Sequence, residues 1–347
     1  MNNFKFNKND LIMNVENKLP YKKITDNFKN LNWGQRKLFF RELEFLTIFW
    51  KKEEIPNPIF LYIGAAEGFH IPYLSSLFPE ITFHLYDPRP FGIEETDKIL
   101  IFNDYFTDEI AETYRNNELV LFTSDIRRHN REYYLNELLE KENINIDDNS
   151  SKTKQRIKQL KYEAALLLEN SIREDMELQM KWFLIINPSH GILKFKLPYI
   201  FNSESPRFTN YLKGIVFWQI WNGPFSSETI LKPVKNKQGI YEIGEWDNLE
   251  YEEICFYHNI VIKAKKRYLN IITNKFEPYS ENLINDFDNT AEAYIIAQYI
   301  NKFNIEIKSI DYFSDKITEV LNQSQNNHKN LEDINNKKLE FYSKLKI

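Results

Sequence analysis

Residues 59–74 read IFLYIGAAEGFHIPYL, and this stretch decides the fold. Five apolar residues predict a buried strand, small residues between Gly64 and Gly68 predict a tight turn, and the residues after the turn predict a helix. Such a turn lets a ligand approach the backbone, and the helix that follows offers free N–H groups. The spacing G-x-x-x-G is less specific than the dinucleotide pattern G-x-G-x-x-G, so a plain tight turn is the alternative.

The chain around this turn alternates between strand and helix patterns. An amphipathic helix is predicted over residues 33–50, and a second helix over residues 107–116. Towards the end of the chain, residues 214–221 and 227–233 predict a pair of strands. The other predicted strands are residues 57–64, 81–87, 98–103, 119–125 and 191–197. This order is typical of an α/β fold with a mostly parallel central sheet flanked by helices.

The sequence shows no clear linker, which predicts a single α/β domain with additions at three places. Residues 1–30 are predicted to form a polar N-terminal arm, and residues 309–347 a polar C-terminal extension with one or two exposed helices. The domain itself is predicted over residues 31–308, with an insertion at about 130–170. Within that insertion, the charged, Asn/Ser-rich residues 141–155 predict an exposed loop that is followed by a helical pattern.

The composition restricts the class of protein. Of the 347 residues, 42% are apolar and 15% aromatic, which is enough for a large buried core. The sequence has no apolar run long enough to span a membrane and no recognisable signal peptide. Its single cysteine, Cys255, excludes an internal disulfide and a cysteine-rich zinc site, and no His/Cys cluster suggests a metal. These features predict a reducing, cytosol-like compartment.

The charge of the chain bears on nucleic-acid binding. A net charge of -5 at pH 7 argues against general affinity for nucleic acid, but it leaves room for a local basic groove. Runs of basic residues are usually solvated faces, which is the alternative for each candidate. The candidates for such a groove are Arg127, Arg128, Arg131, Lys196, Lys232, Lys235 and residues 263–267.

Polar residues follow two predicted strands at the edge where α/β sheets bind ligands. Asp87 ends the second strand, where such folds place an acid for the ribose hydroxyls, although a turn or helix cap is the alternative. Arg89 is suited to hold a carboxylate bidentately, which favours S-adenosylmethionine over NAD, because NAD has no carboxylate. Asp125 ends the fourth strand, where a carboxylate suits a methylsulfonium or an ammonium group.

Two lysines occupy positions that matter for catalysis if they are buried. Lys194 lies within the apolar strand ILKFKL with Lys196 on the same face, and Lys37 lies at the edge of an apolar helix face. A solvated edge strand is one interpretation of this pattern. The other is a partly buried lysine whose pKa is lowered by burial, so that it serves as a base. With Glu228 in a predicted strand and Asp125, these residues form a set of two lysines and two acids.

Six segments occur in one order along the chain, namely WGQRKLFFRELEFL, YIGAAEGFHIPYL, YDPRP, TSDIRR, ILKFKLPY and FSSET. As a set they resemble the poxvirus-type family of cap-specific mRNA 2′-O-methyltransferases, which are also the small regulatory subunit of a heterodimeric poly(A) polymerase. The resemblance extends over about residues 35–303, and related proteins occur in other large DNA viruses. It implies a Rossmann-like methyltransferase fold and S-adenosylmethionine as cofactor. It also implies two partners, m7G-capped mRNA and a poly(A) polymerase catalytic subunit.

The resemblance assigns residues of this chain to three sites. The family's catalytic tetrad falls on Lys37, Asp125, Lys194 and Glu228. Its S-adenosylmethionine site falls on Gln35, Tyr62, Gly64, Gly68, Asp87, Arg89, Phe106 and Arg127. Its cap pocket, in which two aromatic rings hold the base and acids face the base edge, falls on Tyr199, Phe225 and Glu252. Two positions depart from the family, because Phe201 replaces the second acid of the pocket and Glu67 replaces a proline in the glycine turn. Tyr21 of the arm is a candidate for a further aromatic, at an offset spacing.

The function that the resemblance implies is transfer of a methyl group to the ribose 2′-oxygen of the first transcribed nucleotide of capped RNA. Lys194 would act as the base, while Asp125 and Glu228 orient the lysines and no metal is needed. The main alternative is an RNA-binding processivity subunit of a poly(A) polymerase, a role that the family combines with catalysis. An NAD-dependent enzyme is a weaker alternative, because the chain lacks G-x-G-x-x-G. The implied location is the host cytoplasm, a viral factory or the virion.

Overall fold

A seven-stranded sheet forms the centre of the computed structural model, which describes residues 5–22, 33–148, 150–223, 226–268, 286–306, 309–325 and 329–344. The strands in chain order are β1 Ile59–Ile63, β2 Thr82–Tyr86, β3 Ile99–Phe102, β4 Val120–Ser124, β5 His190–Phe195, β6 Phe208–Leu212, β7 Gly214–Trp218, β8 Thr229–Pro233 and β9 Ile243–Asp247. The central sheet has the order β3-β2-β1-β4-β5-β8-β7, and β6 pairs with β9 in a separate two-stranded sheet. Strands β1 to β5 pair in parallel, whereas β8 pairs antiparallel with β5 and β7.

This topology confirms a Rossmann-like α/β fold with a mostly parallel sheet, because strands β1 to β5 follow the order 3-2-1-4-5 of that fold. Strand β4 is buried along its whole length and β1 almost so, which explains why both read as continuous apolar runs. The predicted late pair is β7 and β8. The small sheet of β6 and β9 was not predicted, although Thr209 and Tyr211 are buried where Phe208 and Asn210 are exposed, the alternation typical of a half-buried strand.

Helices flank the sheet. In chain order they are α1 Gly34–Ile48, α2 Ile71–Leu77, α3 Asp108–Thr113, α4 Arg131–Lys141, α5 Ser151–Ile186, α6 Asn248–Tyr257, α7 Phe287–Phe303, α8 Ile310–Gln325 and α9 Leu331–Lys344, and α6 continues as a π-helix over His258–Lys263. Helix α1 packs against α7 and α8, and α3 packs against α5. Within the described ranges, no helix combines the length and the apolar character that crossing a membrane requires.

The predicted insertion at residues 130–170 is mostly helical. Helix α4 and the first part of α5 pack against each other, and we call this pair, residues 131–170, the α4–α5 hairpin. Its own small apolar cluster is formed by Leu139, Ile157 and Leu160, with Leu135, Leu138 and Ile144 packed against it. The later part of α5 belongs to the main domain, since α5 also contacts α3 and β6. A single helix of 36 residues therefore joins the hairpin to the sheet.

The exposed loop predicted over residues 141–155 is shorter in the structure. Helix α4 includes Lys141, and α5 already begins at Ser151. The helix begins inside this polar run because Ser150 caps it, with the Ser150 hydroxyl accepting a hydrogen bond from the Thr153 N–H at 3.2 Å. A run rich in Asn and Ser thus contains a helix start as well as a loop.

The C-terminal extension forms two helices, but they are not exposed as predicted. One face of α8 is buried against α1 and α7. The side chains of that face recur at helical spacing and are Ile310, Phe313, Ile317 and Leu321. In α9, Lys338 Nζ lies 2.9 Å from Asp286 and 2.7 Å from Asp288, and all three side chains are buried. The extension was predicted to be exposed because its composition is polar on average, and that average does not reveal the apolar face of α8 or the buried ion pairs of α9.

The N-terminal arm packs on the edge of the sheet over its described part, residues 5–22. It contains a short 3-10 helix over Lys8–Leu11. The Met13 N–H then donates a hydrogen bond to the Val216 carbonyl at 2.8 Å, which covers part of the edge strand β7. Residues 23–30 of the predicted arm lie outside the described residues.

Candidate functional site

The glycine turn after β1 brings three strand ends together. Gly64 has φ +79° and Gly68 has φ +76°, a left-handed conformation that glycine adopts without strain. The Gly64 N–H donates to the Tyr86 carbonyl at 2.8 Å, and a Cβ on Gly64 would lie 2.9 Å from the carbonyl carbon of Asp125. The turn therefore packs directly on the ends of β2 and β4. Gly64, Gly68 and Asp125 lie at one edge of the sheet.

Asp87 and Arg89 lie at the same turn and bind each other. The Asp87 carboxylate is buried and accepts a hydrogen bond from the Ala66 N–H at 3.1 Å. The Arg89 guanidinium donates to both Asp87 oxygens, at 3.0 Å and 2.8 Å, and also to the Ala66 carbonyl at 3.0 Å. Both residues therefore contact the glycine turn, with Arg89 on its solvent side.

Gln35 and Tyr62 are held by buried hydrogen bonds. His70 bridges the Gln35 side-chain oxygen and the Glu42 carboxylate, each at 2.8 Å. The Tyr62 hydroxyl accepts a hydrogen bond from Arg41 at 2.7 Å. Burial raises the pKa of Tyr62 well above its usual value, so its hydroxyl stays neutral. These contacts fix the start of α1 against the end of β1 and the start of α2.

The two remaining predicted cofactor residues are held by α5. The Phe106 ring is buried and packs edge-on against Trp182 of α5, with ring centroids 5.2 Å apart. Arg127 Nη1 lies 3.6 Å from the Asp175 carboxylate, which is fully buried in the same helix. Helix α5 therefore supports one aromatic and one cationic residue of the predicted site.

Lys37, Asp125, Lys194 and Glu228 form one cluster at this edge of the sheet. Lys37 Nζ donates to Glu228 Oε1 at 2.5 Å. Lys194 Nζ lies 3.3 Å from Glu228 Oε2 and 3.4 Å from Asp125 Oδ1. The four side chains are between 10% and 14% exposed, so the cluster is nearly buried but reaches solvent. Glu228 precedes β8 by one residue, which corrects its prediction as a strand residue.

The charges of this cluster compensate one another. Burial alone would raise the pKa of Asp125 and of Glu228, but neighbouring cations outweigh it. Lys194 and Arg41 hold the pKa of Asp125 below its usual value, and Lys37 and Lys194 do the same for Glu228. Both carboxylates are therefore ionised at neutral pH and lie between cationic side chains.

Arg41 is a residue of this cluster that the sequence analysis missed. Its guanidinium donates to Asp125 at 2.9 Å and to Glu42 at 3.0 Å, and its side chain is 2% exposed. It lies four residues after Lys37, on the same face of α1. The spacing of four residues between Lys37 and Arg41 in the segment KLFFR could have indicated that both side chains point to the same cluster. Arg41 and Lys194 both lie against Asp125 Oδ1, so two cations hold this carboxylate in place.

The residues predicted for the cap pocket lie partly within the described structure. The Tyr199 and Ser227 hydroxyls are hydrogen-bonded to each other at 2.7 Å. Glu252 is half-buried on α6, and its pKa is raised to about 7, first by burial and then by the negative charge of Glu169. Phe225 lies outside the described residues. Burial raises the pKa of Tyr199, and the negative charges of Glu169 and Glu252 act in the same direction.

Further aromatic rings extend this region towards the α4–α5 hairpin. The ring of Phe201, which is 40% exposed, lies edge-on to Tyr199 at 6.4 Å and to Tyr162 of α5 at 6.2 Å between centroids. Tyr21 of the arm packs edge-on against Phe256 of α6, with ring centroids 5.3 Å apart, and burial followed by the charge of Glu252 raises its pKa. Phe201 brings an aromatic surface to the position where the resemblance leads one to expect an acid.

Some of the residues predicted to form a basic groove instead form ion pairs within the protein. Lys263 is buried and lies 3.1 Å from Asp288, so its assignment to an RNA surface was wrong. Arg128 donates to Asp175 at 2.6 Å and thereby holds the loop after β4. Arg131, at the start of α4, is exposed. Across the ranges that the structure describes, no group of three or more His, Cys, Asp or Glu side chains is arranged to hold a metal ion.

Comparison of the sequence with protein families identifies the chain. The sequence model described as "Poly A polymerase regulatory subunit" matches residues 8–332. The chain belongs to this family. The match includes all nine strands and every residue that the sequence analysis assigned to the three sites.

This member of the regulatory-subunit family also has a distant likeness among solved structures. It is similar to bluetongue virus VP4, whose structure is described as revealing "a multifunctional RNA-capping production-line", at a TM-score of 0.40 and 11% identity. The alignment covers 68% of this chain and 33% of the other, so the chain spans about a third of the length of that protein. A comparison with curated proteins gave no match.

Proposed function

We propose that the chain is a cap-specific mRNA 2′-O-methyltransferase that uses S-adenosylmethionine to methylate the ribose 2′-hydroxyl of the first transcribed nucleotide of m7G-capped RNA. The observation that carries this proposal is the cluster of Lys37, Asp125, Lys194 and Glu228 beside the glycine turn. Two lysine amines and two carboxylates in contact, nearly buried but open to solvent, are suited to bind and orient a hydroxyl, and a lysine in its neutral amine form can take the proton of that hydroxyl.

The residues around the turn fit S-adenosylmethionine. A side chain at Gly64 would collide with the backbone at Asp125, so the turn requires a glycine at its closest approach. Asp87 offers a buried carboxylate for ribose hydroxyls, and the Ser124 hydroxyl at the end of β4 is buried with no hydrogen-bond partner in the described chain. The remaining residues that would hold the cofactor are Gln35, Tyr62, Gly68, Arg89, Phe106 and Arg127. When bound, the cofactor supplies the methyl group.

We assign Lys194 as the base that accepts the proton of the 2′-hydroxyl. Its Nζ lies between Asp125 and Glu228, which fix its position from two sides. Lys37 binds the other oxygen of Glu228 and places a positive charge beside the acceptor site. Because these groups are held by α1, β4, β5 and the start of β8, the acceptor would meet a rigid constellation. Such alignment supplies a large part of the rate in reactions of this kind.

The base of a 7-methylguanosine cap is a positively charged aromatic ring, and we place it at Tyr199 and Glu252. An aromatic face and a nearby carboxylate both favour a cation of this shape. Phe225, by the resemblance, would be the second ring. The observation that supports this placement is that Ser227 joins the two elements: its hydroxyl is hydrogen-bonded to Tyr199 after β5, and its carbonyl accepts from Tyr251, which precedes Glu252 on α6.

Methyl transfer from labelled S-adenosylmethionine to short RNAs tests the proposal. The RNAs carry a 7-methylguanosine cap, an unmethylated cap or no cap. We expect 2′-O-methylation of the fully capped RNA, and a loss of about 10²- to 10⁴-fold in the Lys194→Met variant, with cofactor binding retained. The control is Lys213→Met, which removes an exposed lysine that pairs with Glu242. A wild-type chain that binds the cofactor but transfers no methyl group would refute the proposed activity.

Family membership favours a second function, that of a regulatory subunit which binds a poly(A) polymerase catalytic subunit. Co-expression with that subunit followed by affinity purification tests it. Lys194→Met is expected to co-purify as well as the wild type, because a docking surface does not need the catalytic lysine. Absence of co-purification would count against this role.

We infer that both functions operate in the host cytoplasm or a viral factory and that the chain enters the virion, which fractionation of infected cells can test.

A further inference from the structure

One residue outside the predicted sites reaches Tyr199 from the long helix α5. The Glu169 carboxylate is 5% exposed and accepts a hydrogen bond from the Tyr199 N–H at 2.9 Å. Its other oxygen lies 3.8 Å from Lys196 Nζ. Glu169 lies in the region predicted as an insertion, so no sequence signal connected it with the pocket. A buried acid of the α4–α5 hairpin thus fixes the backbone of the residue that we assign to the cap base.

The charges around Tyr199 include two acids that affect each other. The negative charge of Glu169 acts on Glu252, whose pKa is raised to about 7 by burial first and by Glu169 second. Lys196 is a cation beside these acids, since its Nζ lies 3.8 Å from the Glu169 carboxylate and 4.6 Å from the centre of the Tyr199 ring. Arg127, a further cation near Lys196, is held by Asp175. With Arg127 paired to Asp175, two acids and one lysine remain around Tyr199, which favours a ligand that carries a positive charge.

We propose that Glu169 is a specificity-determining residue of this pocket and makes it prefer a positively charged purine to the uncharged form of the same purine. The inference rests on the proposed function and deepens it. Methylation of guanine at N7 adds a positive charge to the ring, which a buried carboxylate stabilises. Phe201 has no charge to offer, and Glu169 supplies the negative charge from a different element of the fold.

Binding of 7-methyl-GTP and of GTP to the full chain tests this assignment. The two ligands share the triphosphate and differ in the methyl group and its charge, so the ratio of their Kd values isolates the recognition of the base. Glu169→Gln keeps an oxygen that can accept the Tyr199 N–H. We expect it to reduce the preference for 7-methyl-GTP about five- to tenfold, the effect of one unit charge several ångströms away in a partly solvated site. The control is Glu177→Gln, an exposed position of the same helix, which should leave the ratio unchanged.

A second variant keeps the test decisive if Glu169→Gln folds poorly. Lys196→Met removes a positive charge beside Tyr199 and should increase the preference for 7-methyl-GTP. A general loosening of the pocket would weaken both ligands alike, so opposite changes in the ratio support an electrostatic role for Glu169. A wild-type preference that Glu169→Gln leaves intact overturns this inference but not the proposed function. A wild-type chain that does not discriminate between the two ligands refutes the cap pocket itself, and this inference with it.

Discussion

Replacing Glu292 by glutamine is expected to destabilise the protein by about 3–5 kcal/mol, because the change leaves a buried cation without its counter-ion. Glu292 Oε1 and Oε2 accept hydrogen bonds from Arg36 at 2.5 Å and 2.9 Å, and neither side chain is exposed. The Trp221 indole N–H and the Ser314 hydroxyl also donate to this carboxylate, at 2.6 Å and 2.5 Å. Glutamine keeps the shape of the side chain but offers a single oxygen and no charge.

The size of this effect can be expressed as a change in Tm. Unfolding entropy is about 2.1 cal/mol/K per residue, so for a 347-residue chain that unfolds as one unit the loss corresponds to a Tm lower by about 4–7 °C. Scanning calorimetry measures it. Arg36 lies between Gln35 and Lys37 in α1, so the same variant should also bind S-adenosylmethionine more weakly at temperatures where it is folded.

The matched control for this prediction is Glu319→Gln on the surface of α8. Glu319 pairs with Lys316 at 2.9 Å, and both side chains are largely exposed, so its loss should cost less than about 1 kcal/mol. An Arg36→Met variant, alone and combined with Glu292→Gln, should show coupling of about 0.5–3 kcal/mol between the two positions. A Tm of Glu292→Gln within about 1 °C of the wild type would contradict the expected cost of leaving the Arg36 guanidinium buried without its counter-ion.

Two other predictions concern the turn and a buried acid. Gly64→Ala should abolish S-adenosylmethionine binding, because the new Cβ would lie 2.9 Å from backbone atoms of Asp125 and Ile126. The control is Gly34→Ala, whose Cβ meets no atom within 4 Å and which should still bind. Equal binding by both variants in equilibrium dialysis would contradict this prediction. Burial raises the pKa of Glu44 to about 8, above the value of about 4.3 in the unfolded chain, so wild-type stability should fall as pH rises between these values. In urea unfolding, Glu44→Gln should therefore be more stable than the wild type at pH 8 but not at about pH 4. A stability difference between the two proteins that does not change with pH would show that Glu44 does not titrate in this way.

The strands of the parallel sheet were predictable because burial on both faces demands continuous apolar runs, as in β1 and β4. Strands β6 and β9 were missed because they are short and half-exposed, with Phe208 and Ile243 facing solvent. In the C-terminal extension, the apolar spacing of α8 was present in the sequence. The many polar residues between these apolar positions led to the prediction of an exposed helix. A spacing pattern alone does not show which other element packs on the apolar face.

The candidate site was predictable where a residue lies at a strand end, as Asp87 and Asp125 do. The tetrad as a set came from the resemblance, and the structure brings its four members together. Arg41 was not predicted, because an arginine on a helix normally faces solvent and its partner Asp125 is 84 residues away. Glu169 was missed for the same physical reason, since its burial depends on packing between distant segments.

The ion pair of Arg36 has a consequence for the order in which the protein is made. Its partners Glu292 and Ser314 follow it by 256 and 278 residues. At about 5–20 residues per second, the ribosome adds them roughly 10–60 seconds after α1. During that interval the guanidinium lacks both of these partners, so we expect α1, which carries Lys37, to dock in its final place only after they are added. We therefore expect a nascent chain to complete its sheet before its candidate catalytic site, which is finished once α7 and α8 have emerged.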